Sequence, residues 1–191
     1  MKLDEDQLLI KKVLSGEKGA FEALMVKYNK RIYNYVYRMV RNEETAVELT
    51  QDFFLKIYNV LSMYNFKYKF STWAYRICYN LVVDYIRKNS NLIDSLEGDN
   101  INEKRMVESD NYVKENYIAK LENEQMSEYL WNVVDCIPVK YKELIILRYI
   151  DDLKYEEIAE IVDIPVGTVK NRIFKAKKML KKEMENNELF T

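Results

Sequence analysis

The sequence predicts an all-α protein of two small helical domains joined by a flexible linker, the C-terminal domain being a helix-turn-helix. Three observations carry this. Only four Gly and two Pro occur in 191 residues, too little turn chemistry for a sheet protein, while 48% apolar residues suffice for cores. Apolar residues recur at three- and four-residue spacing over most of the chain. Charge is unevenly spread: residues 1–90 hold 15 basic and 10 acidic residues, 91–125 hold 4 and 9, and 126–191 hold 11 and 12. A net charge of -1 therefore hides an acidic middle.

Residues 5–14 predict a short helix with Leu8, Leu9 and Val13 on one side, ending near Ser15-Gly16. From Lys18 to about Arg41 the stripe Phe21, Leu24, Met25, Tyr28, Ile32, Tyr35, Val36 and Met39 predicts a long core helix. Asn42-Glu43-Glu44 reads as a turn. A third helix then runs from Thr45 to about Leu61, burying Ala46, Leu49, Phe53, Ile57 and Val60 and showing Glu48, Gln51, Asp52 and Lys56 on its other face. The segment 62–70, SMYNFKYKF, breaks the periodicity with aromatic and basic residues. Ser71 or Thr72 is expected to cap a fourth helix to about Lys88, with Trp73, Ile77, Leu81 and Ile86 inward and Arg76 and Asn80 four apart on a shared polar face. Residues 89–115 carry few apolar residues and predict a flexible acidic linker, long enough for two domains to reach separate sites. Order is expected again near Tyr117, with a helix over about 125–136 and another opening at Pro138 and containing YKELIILRYI.

Two short amphipathic helices follow from Lys154 to Lys182. Ile158, Ala159 and Val162 mark the first, and Val169, Ile173, Ala176 and Leu180 the second. Asp163-Ile164-Pro165 breaks them, since Pro165 lacks an amide donor and Asp tolerates the left-handed backbone a tight turn needs. From Pro165 to Lys182 there are seven basic residues and no acidic one, so a polyanion is the natural partner.

Other functions are poorly served. The chain has no His, and Cys78 and Cys136 stand far apart within apolar helical patterns, where both are expected as buried small groups. That argues against a zinc site or a Cys-His nucleophile, and neither a Gly-rich phosphate loop nor a metal-ligand cluster is present, so no enzyme activity, metal or cofactor is expected. No apolar run approaches the roughly 20 residues of a membrane span, and MKLDEDQLLIKK lacks a signal-peptide core. A cytoplasmic protein without stable membrane insertion is the expectation.

Three blocks, ELTQDFFLKIY (48–58), FSTWAYRICYNLVVDYIRK (70–88) and YKELIILRYIDDLKYEEIAEIVDIPVGTVKNRIFKAKKML (141–180), carry a resemblance to bacterial RNA polymerase sigma factors of the extracytoplasmic-function (ECF) group, group IV. The resemblance implies sigma domain 2 over 1–90, a linker over 91–120 and sigma domain 4 over 121–186. Core RNA polymerase, promoter DNA and an anti-sigma factor are the implied partners. By the resemblance, Glu48, Gln51, Asp52, Phe54 and Tyr58 contact the polymerase clamp. Asn80, Arg76, Tyr75, Tyr79, Tyr68 and Lys69 serve the -10 element, where opened strands expose base faces to aromatic rings and base edges to an amide. Thr168, Lys170, Asn171, Arg172, Phe174 and Lys175 serve the -35 element from the major groove. The apolar helix at 144–149 is implied to lie near the polymerase flap.

This chain has Asp163 where the family often has Gly, and Lys where it more often has Arg. Core packing competes as the explanation for Trp73, Tyr75 and Tyr79, and a solvated helix side for Glu48, Gln51 and Asp52. A helix-turn-helix DNA-binding regulator that never joins the polymerase is the alternative; the block at 70–88 argues against it.

Overall fold

The computed structural model describes residues 3–89 and 124–186, and the expected linker at 91–120 lies outside the described residues. Among the described residues the regular structure is helical throughout. Helix α1 (Glu5–Leu14) begins with a capping box: the Asp4 carboxylate accepts from the Gln7 amide at 2.8 Å, and the Gln7 side chain accepts from the Asp4 amide at 3.4 Å. Helix α2 (Ala20–Val40) enters through Gly19 at φ 81° and leaves through Arg41 at φ 55°. Helix α3 (Glu43–Val60) starts two residues earlier than the sequence suggests, because Asn42 is a cap rather than part of a turn, its Oδ1 accepting from the Thr45 amide at 2.8 Å. A 3₁₀ turn, Leu61–Met63, and a loop lead to α4 (Phe70–Asn89).

These four helices enclose an aromatic core. Tyr28, Ile32, Tyr35 and Val36 of α2 meet Phe53 and Ile57 of α3 and Ala74, Tyr75, Cys78 and Val82 of α4, all at or below 4% exposure. Tyr28 meets Phe70 edge-on at 5.2 Å, and Tyr35 meets Tyr75 at 5.7 Å. The buried stripe of α4 differs from the expected one. Trp73, Ile77, Leu81 and Ile86 are only half-buried. The helix is covered on two sides, by α2 and α3 and also by α7 of the other half, so neither stripe alone is its inward face.

The C-terminal half is smaller. Helix α5 (Glu124–Asp135) is followed by α6 (Val139–Ile145), which runs into a π-helical turn, Ile146–Ile150, closed by the Asp151 amide donating to the Ile146 carbonyl at 3.1 Å. Leu144, Ile146 and Leu147 are fully buried, so the segment expected near the polymerase flap belongs to the core here. Helices α7 (Tyr155–Val162) and α8 (Val166–Asn186) complete the helix-turn-helix. Asp163 adopts φ 57°, ψ 45°, the left-handed turn its residue type allows. Cys78 is buried as expected. Cys136 is instead exposed at the end of α5, where its thiol donates to the Asn132 carbonyl at 3.3 Å.

Candidate nucleic-acid interface

Helix α8 owes its orientation to three small contacts. Val169, Ile173 and Ala176 are at most 2% exposed and press toward α6 and α7, which turns the remaining positions outward. Lys170, Phe174, Lys177 and Lys178 are exposed, whereas Thr168, Asn171, Arg172 and Lys175 are half-buried. Lys178 lies 4.4 Å from the Phe174 ring centroid and Lys170 5.5 Å from that of Tyr155, so aromatic faces steady two of the cations. The result is a cationic strip along one helix, suited to a duplex phosphate backbone, with amide and hydroxyl groups at its N-terminal end.

A second surface forms where the loop at 64–69 meets α4. Tyr64, Phe66, Phe70 and Trp73 cluster with ring centroids 5.1–5.8 Å apart, which pulls the loop onto the body. Gln7 of α1, only 5% exposed, fixes it further: its Nε2 donates to the carbonyls of Phe66 at 2.9 Å and Tyr68 at 3.3 Å. Tyr68, 58% exposed, and Lys69 are thereby held outward, and Arg76 and Asn80 of α4 are also exposed. Sequence reasoning missed Gln7. A lone Gln in an amphipathic helix reads as solvated, and only the three-dimensional loop reveals its acceptors.

Two expected contact residues on α3 and α4 are buried instead. Tyr75 is fully buried edge-on to Tyr35, so its ring has no face left for a base. Phe54 is 6% exposed against Phe53, whose centroid lies 4.9 Å away. The outward side of α3 consists of Glu48, Gln51, Asp52, Leu55 and Tyr58, with Leu55 at 64% and Tyr58 at 60% exposure. Leu55 was legible: it follows Glu48 by seven and precedes Tyr58 by three, which places all three on one helical face.

The two surfaces meet each other. Lys69 Nζ lies 2.8 Å from Glu157 of α7, and Arg76 lies 3.4 Å from Asp163 in the helix-turn-helix turn. Tyr79 is half-buried and near Glu143 of α6, which also faces Arg172. Burial pushes the Glu143 carboxyl up to about 8, against the pull of Arg172 and Tyr79. Glu157 is driven up by partial burial, but hydrogen bonds from Lys69 and the Lys154 amide outweigh this and hold it below the usual carboxylate range. Among the described residues no group of His, Cys, Asp or Glu is arranged to hold a metal ion, and no helix is long and apolar enough to cross a membrane.

Two family models match: sigma-70 region 2 over residues 24–92 and sigma-70 region 4 over residues 127–180. The chain is 34% identical over 181 residues to the ECF RNA polymerase sigma factor SigW of Bacillus subtilis, covering 93% of this chain and 95% of that protein. It is 34% identical over 189 residues to the ECF RNA polymerase sigma-E factor of Escherichia coli K12, covering 94% of each. In fold it is similar to CnrH, solved in complex with the cytosolic domain of CnrY, at a TM-score of 0.70 and 19% identity, covering 96% of this chain and 99% of that one. It is also similar to the sigma factor RpoE of Bartonella quintana, solved in complex with the anti-sigma factor NepR, at a TM-score of 0.63 and 17% identity, covering 87% and 98%.

Proposed function

The chain belongs to the family of ECF RNA polymerase sigma factors, and from that premise we propose how its surfaces divide the work of starting transcription. It is an initiation factor, not an enzyme: it binds core RNA polymerase, recognises -10 and -35 promoter elements and directs initiation. The observation that carries this is the order of region 2 and region 4 within a match spanning nearly the whole of both proteins.

The finer reading is group IV membership in the cytoplasm, with sigma domain 2 over 1–90, a linker over 91–120 and sigma domain 4 over 121–186. The outward side of α3, Glu48, Gln51, Asp52 and Tyr58 with Leu55 among them, docks on the polymerase; Phe54 supports that side from within. Asn80 and Arg76, with Tyr68, Lys69 and Tyr79 around them, take the opened -10 strand. Their support is a polar pair exposed on an apolar helix and an outward aromatic ring on the loop that leads into it, the combination a single strand uses through base edges and base faces. Tyr75 acts there only by holding the floor of α4. Helix α8 enters the -35 major groove, with Thr168, Lys170, Asn171, Arg172, Phe174 and Lys175 nearest the duplex and the later lysines on phosphates. An anti-sigma factor is the expected inhibitor, supported by the likeness to RpoE, which was solved with one.

Transcription of fragmented genomic DNA by purified core polymerase, with and without the protein, tests this. Start sites that require the protein and share two upstream motifs are the expected result. Stable binding to core without new starts would point to a non-initiating relative. No binding to core would leave a separate DNA-binding regulator.

A further inference from the structure

The turn that carries Tyr68 is held by side chains outside the surfaces assigned above. Asn65 opens it: its carbonyl accepts from the Tyr68 amide at 3.1 Å and its Oδ1 from the Lys67 amide at 3.0 Å, a β-turn reinforced by an Asx turn. The carbonyls of Phe66 and Tyr68 are both engaged by Gln7 Nε2, at 2.9 and 3.3 Å. The Tyr64 hydroxyl donates to the same Tyr68 carbonyl and accepts from Gln7 Nε2 at 3.4 Å. The Gln7 amide cannot turn over without loss, because its Oε1 accepts from the Asp4 amide within the α1 capping box. Tyr64 adds a second anchor, its ring meeting Phe66, Trp73 and Phe70 at centroid distances of 5.1, 5.3 and 5.6 Å.

The consequence falls on one residue. The peptide before Tyr68 is tied through its amide to Asn65, and the peptide after it is tied through its carbonyl to Gln7 and Tyr64. Both peptide planes that flank Tyr68 are therefore fixed, and with them the direction in which the ring leaves the backbone. Stability alone does not call for this chemistry. Gln7 shares the buried side of α1 with Ile10, where an apolar side chain would pack without surrendering hydrogen bonds to water. An amide at that position does what a methyl group cannot, because it aims two loop carbonyls.

We propose that Gln7 and Tyr64 are positioning residues for strand capture, together holding the turn so that the Tyr68 ring stands ready for a base of the opened strand before DNA arrives. The inference rests on the functional reading for the identity of the ligand, and it goes beyond that reading in giving α1 a part in the work. Gln7 and Tyr64 are each 5% exposed, so neither offers a face to the strand, and both act through Tyr68. A base that stacks on a ring already directed outward finds that partner in order. A mobile loop would instead lose its own conformational freedom on binding, and affinity would fall accordingly.

Holoenzyme assembled from the full chain and core polymerase tests this on DNA duplexes with a central unpaired stretch of randomised sequence. Sequences retained by the wild type are then made in unpaired and fully paired forms. Gln7→Met keeps the side-chain length and removes the donors, and Tyr64→Phe keeps the ring and removes the hydroxyl. Each is expected to weaken binding to the unpaired form about three- to tenfold, with affinity for core polymerase and for the paired form unchanged. The decisive comparison adds Tyr68→Ala, which deletes the ring but leaves the carbonyl that Gln7 bonds. On that background Gln7→Met should change binding by less than about twofold, since no ring is left to place; a merely stabilising Gln7 would cost the same factor with or without the ring. In the free chain, both variants should speed amide exchange at Lys67 and Tyr68. Unchanged binding in both variants, a Gln7→Met effect undiminished by Tyr68→Ala, or unchanged exchange at those amides overturns the proposal. If circular dichroism shows that Gln7→Met does not fold, Tyr64→Phe and its own cycle with Tyr68→Ala decide. A wild-type holoenzyme that retains no unpaired sequence over its paired form would sink the functional reading and the strand-capture role together. Failure of this inference alone appears only in the variants, while the wild type still selects.

Discussion

The two halves solve different problems with different residues. Sixteen of the 25 aromatic residues lie in the first 90 positions, and there they build both the core and the rim of the α4 surface. The C-terminal half relies on a small cluster, Ile137, Tyr141, Ile145 and Ala176, and on apolar residues of α6 to α8 that join the first half's core. Its proposed DNA surface is a lysine-rich helix face. An aromatic, partly desolvated surface suits unpaired bases, and a hydrated cationic strip suits a duplex whose charge is already arrayed. The difference teaches that the first half presents its surface on a rigid aromatic frame, while the second presents charge together with a few amide and hydroxyl groups along one helix.

The largest effect that can break this comparison is in the aromatic core. Phe53, 1% exposed, packs on Phe54, and Phe53→Ala should cost about 3–5 kcal/mol in urea unfolding. Hydrogen exchange should then show protection lost in α1 to α4 and kept in α7 and α8. Equal loss in both would make the halves one cooperative unit. A smaller effect is expected at the rim: Asn80→Ala should weaken promoter opening by about 1–3 kcal/mol while leaving polymerase binding and its salt slope unchanged. Equal losses in opening and in core binding would remove Asn80 from the strand-reading surface.

Gln7→Ala sharpens the point about rigidity, since the hydrogen bonds of Gln7 to the loop reach the Phe66 and Tyr68 carbonyls rather than a side chain expected on DNA. Losing its two backbone bonds should cost about 1–2 kcal/mol and raise hydrogen exchange at 64–69, with promoter opening impaired and binding to duplex -35 DNA intact. The smallest effect belongs to the cationic strip. Lys175→Ala should reduce the slope of log affinity against log salt by about 0.9 if it meets a phosphate, with little change in stability. An unchanged slope together with unchanged -35 discrimination would take Lys175 off the DNA.

Much of this was legible because helices announce themselves through period and punctuation. The α2 stripe, the broken pair around Asp163-Ile164-Pro165 and the acid-free run after Pro165 fixed where two helical units lie and which face of α8 is charged. Residue type even anticipated the left-handed backbone of Asp163, since a short polar side chain tolerates it. Other features depend on what arrives from far along the chain. Tyr75 lies inward and Arg76 outward because α7 covers one side of α4 while α2 and α3 cover the other; a helix touched on two sides has no single apolar stripe to read. Gln7 meets carbonyls 59 and 61 positions away, and the Glu143 carboxyl is pushed up to about 8 because the folded chain buries it. Periodicity is local and survives in sequence, whereas desolvation is a property of two surfaces at once, and only the folded chain brings the second surface.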